Sequence, residues 1–194
     1  MKFISLFLLL CFSSISSGND VLSEALKKRA LGVIEKLTST SFPELKGVQF
    51  ELKLIKNPAV FLATDIGIAS IVSGPREYVL YLNKTLETHS ISDLAFEGIM
   101  AHELIHFSDY EKMNAVQLAV FYAQYLSSED FVASYERKTD LQAFERGYAI
   151  GIKAFRNWLY LQISEKDKVI KEKNYYTPEQ IDEWLLSQPE LTLL

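Results

Sequence analysis

Cysteine is almost absent from this chain, which has a single one, Cys11, among its 194 residues. One cysteine cannot form a disulfide within the chain, so the fold cannot depend on such a bond. Stability must come from the hydrophobic core and from any metal that the chain binds. Histidine is scarce too, with three residues, and a motif that contains two of them therefore stands out.

Long apolar runs are missing beyond the N-terminus, as are basic patches, internal repeats and low-complexity segments. No later stretch is therefore long and apolar enough for a transmembrane helix. The net charge is −5 with interspersed signs, which argues against nucleic acid as a partner. The hydrophobic fraction of 48% excludes a disordered chain. The length suits one domain with a single core.

The N-terminus has the three parts of a secretory signal peptide. Lys2 supplies the positive charge, residues 3–12 are apolar, and residues 13–18 end in small side chains. We predict a signal peptide at residues 1–18 that takes Cys11 with it, a single mature domain at 19–194, and export to the periplasm or the extracellular space. The alternative is a retained N-terminal membrane anchor. A lipoprotein site fits poorly, because the apolar run continues past Cys11.

The motif His-Glu-x-x-His occupies residues 102–106. Residues four apart share a helix face, so His102 and His106 would point the same way and could hold one Zn²⁺. Glu103 could then act as a general base on a water at the metal. The alternatives are a chance match or a wet surface helix. Residues 94–107 are largely apolar, however, and unpaired polar groups are costly in a buried helix.

Hydrophobic periodicity predicts an α+β order: a helix, a small, mostly antiparallel sheet packed on the motif helix, and a helical C-terminal half. The predicted helices are 20–37, capped by Asn19 or Asp20; the motif helix from Ser90 or Ser92 to about Ser108; 115–126; 131–163; and one opened by the capping box at Thr177–Gln180. The predicted strands are 50–54, 60–63, 66–72 and 78–83. The second and third of these are predicted to form a hairpin around Thr64-Asp65.

Two histidines and a water leave zinc one protein ligand short. Glu136 and Asp140 lie with the small residues Ala143 and Gly147 on one helical stripe, and Gly98 offers a matching close approach on the motif helix. We predict Glu136 as the third ligand and Asp140 as the acceptor for the outer nitrogen of a ligand histidine. The rival ligands are Asp140 itself and then Glu145. Alternatively, both acids pair with basic residues on a wet surface.

The motif pair resembles the gluzincin metallopeptidases. In particular, Glu136-x-x-Thr139-Asp140-x-x-Ala143 is similar to the Glu-x-x-Ala-Asp-x-x-Ala pattern of the family that includes the CAAX prenyl endopeptidases and HtpX-type peptidases, with Thr139 in place of alanine. The metzincin pattern does not fit, because Asp109 and Lys112 stand where Gly and His are required. The resemblance covers about residues 75–155. It implies a soluble, minimal relative with a zincin-like fold, one zinc ion, Glu103 as base and acid, and an edge strand that binds an extended peptide.

These features predict a secreted or periplasmic zinc metallopeptidase that acts on peptides or proteins. The strand at Tyr78–Asn83, just before the motif helix, is the predicted edge strand. The residue that stabilises the oxyanion is left open among Tyr135, Tyr148 and His89. The alternatives are another zinc hydrolase, such as an amidase acting on cell-wall material, and an envelope protein with a structural zinc.

Overall fold

The computed structural model describes residues 22–55, 57, 60–67, 70 and 76–188. The predicted signal peptide at residues 1–18 lies outside the described residues. The strands are β1 (Phe50–Ile55), β2 (Leu62–Ile66) and β3 (Tyr78–Asn83). The helices are α1 (Glu24–Thr40), α2 (Thr85–Thr88), α3 (Asp93–Lys112), α4 (Ala115–Ser127), α5 (Glu129–Glu145), α6 (Ala149–Tyr160), α7 (Glu165–Asn174) and α8 (Pro178–Leu186). The predicted α+β class is confirmed.

The sheet is mixed, with the order β1-β3-β2. Strand β3 runs parallel to β1 and antiparallel to β2, so the prediction of a mostly antiparallel sheet was wrong. The predicted edge position of Tyr78–Asn83 was also wrong, because β3 is central and pairs on both sides. Alternating side chains indicate a strand but not its neighbours, which are chosen by contacts between distant parts of the chain.

The predicted hairpin around Thr64-Asp65 is also wrong. Both residues lie inside β2, where Thr64 pairs with Leu80 and Asp65 with Val79. Polar residues commonly mark turns, but here they occupy a strand with only one neighbour among the described residues. Of the strand predicted at 66–72, the structure describes only residues 66, 67 and 70.

Several helix boundaries follow the predicted caps. Ser92 accepts a hydrogen bond from Ala95 N at the start of α3, and α8 begins with the predicted capping box and Pro178. Helix α3 runs beyond Ser108 to Lys112. Helix α1 is capped by Ser23, whereas the predicted caps Asn19 and Asp20 lie outside the described residues.

The single long helix predicted at 131–163 is instead two helices, α5 and α6. The break lies at Gly147, whose φ of +91° is left-handed and ends a helix readily in glycine. Gly147 therefore does not belong to a close-packing stripe, since a Cβ there would meet nothing within 4 Å. The close approach to α3 is made by α6, where Gly98 and Gly151 are in backbone contact.

Helix α3 is the centre of the core, and every residue from Gly98 to Tyr110 is buried. The sheet packs on it as predicted, since the Phe107 ring lies 5.1 Å from the rings of both Phe50 and Tyr78. Burying this helix on all sides gives the histidine motif a dry, packed environment. Within the described part of the chain, the helices are too short or too polar to cross a bilayer.

Candidate metal centre

The two motif histidines project from consecutive turns of α3, and both are buried. Their ring centroids are 4.9 Å apart. Glu136, from α5, places Oε2 3.2 Å from His102 Nε2 and 3.5 Å from His106 Nε2. One ligand atom from each residue lies within 4.8 Å of the others. This buried group could hold a metal ion, because two imidazoles and a carboxylate are a common donor set.

The contact between His102 and Glu136 indicates where a cation fits. Asp140 Oδ1 lies 2.8 Å from His102 Nδ1. Because a carboxylate only accepts, that nitrogen donates, and Nε2 faces the second carboxylate. Burial lowers the pKa of His102, but hydrogen bonds to Asp140 and Glu136 outweigh burial and raise the pKa to about 9. Either a proton or a metal must therefore occupy the space between Nε2 and Glu136.

Glu136 is held ionised and oriented. Its other oxygen, Oε1, accepts a hydrogen bond of 2.5 Å from the Tyr125 hydroxyl on α4. Burial raises the pKa of Glu136, but His106 and His102 outweigh it and hold this pKa well below its usual value. On the same side, His106 Nδ1 lies 3.1 Å from the Tyr135 hydroxyl. The carboxylate is thus ready to bind a cation.

Asp140 is anchored by Arg156 of α6, a residue that the sequence did not indicate. Arg156 Nη2 donates to both carboxylate oxygens, at 3.1 and 3.3 Å, and Tyr176 N donates to Oδ2 at 3.1 Å. Burial raises the pKa of Asp140, but Arg156 and His102 lower it overall. A signal was present, because Arg156 interrupts the apolar face formed by Ile152, Phe155 and Leu159.

Glu103 is buried beside the two histidines and lines the same cavity. Burial raises its pKa. We call this space the metal cavity; it is lined by Leu62, Ala63, Thr64, Asp65, His102, Glu103, His106, Tyr110, Phe121, Tyr125, Glu136 and Tyr175. The metal cavity therefore lies between the histidine face of α3 and strand β2, which is at one edge of the described sheet.

Residues at the end of α7 also reach the centre. The Tyr175 ring lies 5.8 Å from the His102 ring, and the Arg156 guanidinium lies 4.4 Å from the centre of the Tyr175 ring. Lys171 Nζ is 5.2 Å from the same ring. Burial and the nearby Arg156 lower the pKa of Lys171 to about 8. No local pattern near residues 171–175 indicated this proximity, which depends on how α7 folds back.

The remaining predicted candidates are distributed more widely. Glu145 is exposed at the end of α5, and His89 is exposed with Nδ1 2.9 Å from Thr88 Oγ1. The Tyr148 hydroxyl is 2.6 Å from Ser41 Oγ. Of the three oxyanion candidates, only Tyr135 contacts a residue of the centre, and it does so through His106.

No family model, curated protein or solved structure matches this chain. Its function must therefore be inferred from its own residues.

Proposed function

We propose that this chain is an exported zinc-dependent metallopeptidase of the gluzincin type with a zincin-like fold. The observation that carries the proposal is the buried group of His102, His106 and Glu136, with Glu103 in the same cavity. A structural zinc normally has four protein ligands, whereas the described residues supply three. An unused carboxylate beside an incomplete ligand set favours catalysis. Residues 1–18 support export to the periplasm or the extracellular space.

A bound zinc would polarise the scissile carbonyl and the attacking water. Glu103 takes a proton from the water, whose oxygen bonds to the carbonyl carbon, and passes that proton to the leaving amine as the C–N bond breaks. Burial raises the pKa of Glu103, which makes it a stronger base. His102 is held by Asp140 at Nδ1, which directs Nε2 towards the metal.

The peptide would bind along β2 rather than β3. Residues Leu62 to Asp65 line the metal cavity, and β2 pairs only with β3 among the described residues. Its outer edge can therefore accept an extended peptide by β-addition. Tyr175 lines the same cavity, and burial keeps the pKa of its phenol well above the usual value. Its hydroxyl therefore stays protonated and is our candidate donor to the oxyanion.

The test begins with elemental analysis of the purified mature chain, for which we expect one zinc ion. Glu103→Gln should retain zinc but cleave labelled casein about 100-fold more slowly or worse, because it lacks the base. Glu97→Gln is the matched control on the same helix, since Glu97 pairs with Lys36 at the surface. Glu136→Gln should lose zinc.

Absence of tightly held metal from the wild type would refute the proposal, and so would unchanged cleavage by Glu103→Gln. Cleavage of cell-wall fragments without cleavage of peptides would favour an amidase instead.

A further inference from the structure

The metal cavity is closed in this structure. His102, Glu103, His106 and Glu136 are between 2% and 6% exposed. The volume of the cavity is about 50 Å³, which is room for a few water molecules but not for a peptide. An extended peptide therefore cannot bring its scissile carbonyl to the histidines unless part of the cavity wall moves.

Helix α4 supplies an outer part of that wall, since most of its residues are exposed to solvent on the opposite face. Phe121 and Tyr125 of this helix line the metal cavity. Tyr122 lies beside Asp65 of β2, whose carboxylate adds to the effect of burial in raising the pKa of the phenol. Helix α4 therefore covers both the histidines and the strand along which we expect the peptide to bind.

Helix α4 is only weakly attached to the rest of the fold. Leu118 and Phe121 are its two buried residues, whereas Val116 and Val120 are 73% and 52% exposed. The segment Ala115–Ser127 contains no charged residue, so no ion pair anchors it. Helices in proteins are held mainly by the packing of an apolar face. An element that buries so little can open at a low cost in free energy.

An open groove with a volume of about 490 Å³ lies between α4 and α5. Its lining is mostly apolar and includes Val116, Val120 and Phe121 from α4, and Phe131 and Tyr135 from α5. Well-packed helices interdigitate with few gaps, so the groove indicates an incomplete contact between these two. It leaves α4 room to shift relative to α5.

Helix α7, which ends at Tyr175 on another wall of the cavity, is held more firmly. Lys173 forms an ion pair with Glu129 at 2.7 Å. Arg137 donates to the carbonyl oxygens of Glu172 and Lys173, at 3.1 and 3.3 Å. These contacts join α7 to α5. Of the two helices, α4 is thus the one that can move away from the cavity.

We propose that α4 is a lid that must move away from the metal cavity before a peptide can bind. Asn114 and Ser128, which have extended backbone at its two ends, are its hinges. The hydrogen bond from the Tyr125 hydroxyl to Glu136 holds the lid closed. The role of the lid rests on the proposed function, because it governs entry of the substrate to that same site.

The test joins α4 to α5 across the groove. Val120 and Ser134 both line the groove and are exposed, and the mature chain predicted at 19–194 has no cysteine. The double variant Val120→Cys with Ser134→Cys is bridged by a bis-maleimide whose central disulfide can be cleaved with a reductant. Lys153→Cys with Asp182→Cys gives the control bridge, because those side chains meet between α6 and α8 and do not involve α4.

Two rates report access to the site, the cleavage of labelled casein and the transfer of zinc to the chelator 4-(2-pyridylazo)resorcinol. We expect the bridge across the groove to slow both about tenfold or more, because a held lid blocks entry. Cleavage of the bridge should restore them. The control bridge should leave both rates unchanged, and so should N-ethylmaleimide on either single cysteine. Zinc content and circular dichroism verify that each bridged chain is loaded and folded.

A looser lid should have the opposite effect on zinc transfer. Leu118→Ala removes buried contacts beneath α4 and should speed the transfer about tenfold or more. Leu37→Ala is the matched control, because Leu37 of α1 is equally buried at 0% exposure. Its truncation weakens the fold without releasing α4, so zinc transfer should change much less.

Unchanged zinc transfer in the bridged chain would overturn the lid, and so would equal transfer by Leu118→Ala and Leu37→Ala. Zinc transfer decides the matter even if the wild type cleaves no casein. A wild type without zinc refutes the proposed function, and the lid is then tested with diethyl pyrocarbonate. The bridge should slow modification of His102 and His106 but not of the exposed His89. Unslowed modification of His102 and His106 would overturn the lid.

Discussion

The two sides of the metal centre differ in chemistry. On one side, which we call the aromatic side, Tyr110, Phe121, Tyr125 and Tyr135 come from α3, α4 and α5, and the Phe121 and Tyr135 rings lie 4.7 Å apart. On the other side lies a smaller cavity, which we call the cationic pocket because Arg156 from α6 and Lys171 from α7 line it. The aromatic side contacts the proposed ligand Glu136 through the neutral Tyr125 hydroxyl, whereas Arg156 on the other side contacts Asp140, which in turn holds His102.

The difference indicates how each side holds the proposed metal ligands in position. The hydroxyl of Tyr125 contacts Glu136 itself, and burial and Glu136 keep the pKa of this phenol well above its usual value. Arg156 acts one residue further out, by holding Asp140 against His102. A neutral donor orients a ligand at little cost, whereas a buried charge is stable only while its partner is present. The cationic pocket should therefore be the more sensitive side.

The largest effect is expected from Gly98→Ala, which would disturb both sides by pushing α6 away from α3. A Cβ at Gly98 would lie 2.2 Å from the backbone carbon of Gly151. We expect a loss of about 3 kcal/mol in the free energy of unfolding, measured by urea denaturation. Gly32→Ala is the control, because a Cβ there meets nothing within 4 Å and should stabilise α1 by about 0.5–1 kcal/mol. Similar stabilities for the two variants would contradict the close helix contact.

Arg156→Met tests the cationic pocket alone. It leaves the Asp140 carboxylate buried without its counter-charge, which should cost about 3 kcal/mol in the free energy of unfolding. Metal affinity, measured by competition with a chelator, should fall about 10–100-fold because His102 loses its support. Lys153→Met on the same helix removes a half-exposed ion pair with Asp182 and should cost less than about 1 kcal/mol. Adding Asp140→Asn to Arg156→Met should recover stability, and a further loss would argue against the charge pairing.

Tyr125→Phe tests the aromatic side and should have the smallest effect. It removes one hydrogen bond to a charged group, worth about 1.5–2 kcal/mol, and should lower metal affinity about tenfold. Tyr160→Phe is the control, because the Tyr160 hydroxyl is buried and has no hydrogen-bond partner among the described residues. If Tyr125→Phe proves as damaging as Arg156→Met in both measurements, the proposed contrast between the two sides is wrong.

Local periodicity was enough to find His102, His106, Glu136 and Asp140, four of the residues that the structure brings together at the centre. His102 and His106 are four apart on one helix, as are Glu136 and Asp140 on another. Each pair could be placed on a face from its spacing alone. One continuous helix was predicted across Gly147, because the apolar pattern resumes at once in α6. Glycine just after the last helical residue is nevertheless a common helix end.

The sequence by itself determined the α+β order, the histidine motif on a buried helix and the acidic stripe, because these depend on spacing within single segments. Only the tertiary structure decided that β3 is central and that β2 borders the metal cavity, since strand order depends on pairings between distant residues. It also brought Arg156 and Lys171 to the centre. The position of Arg156 follows from the turn at Gly147 and the contact between Gly98 and Gly151, and that of Lys171 from the way α7 folds back towards the centre. No single segment encodes either.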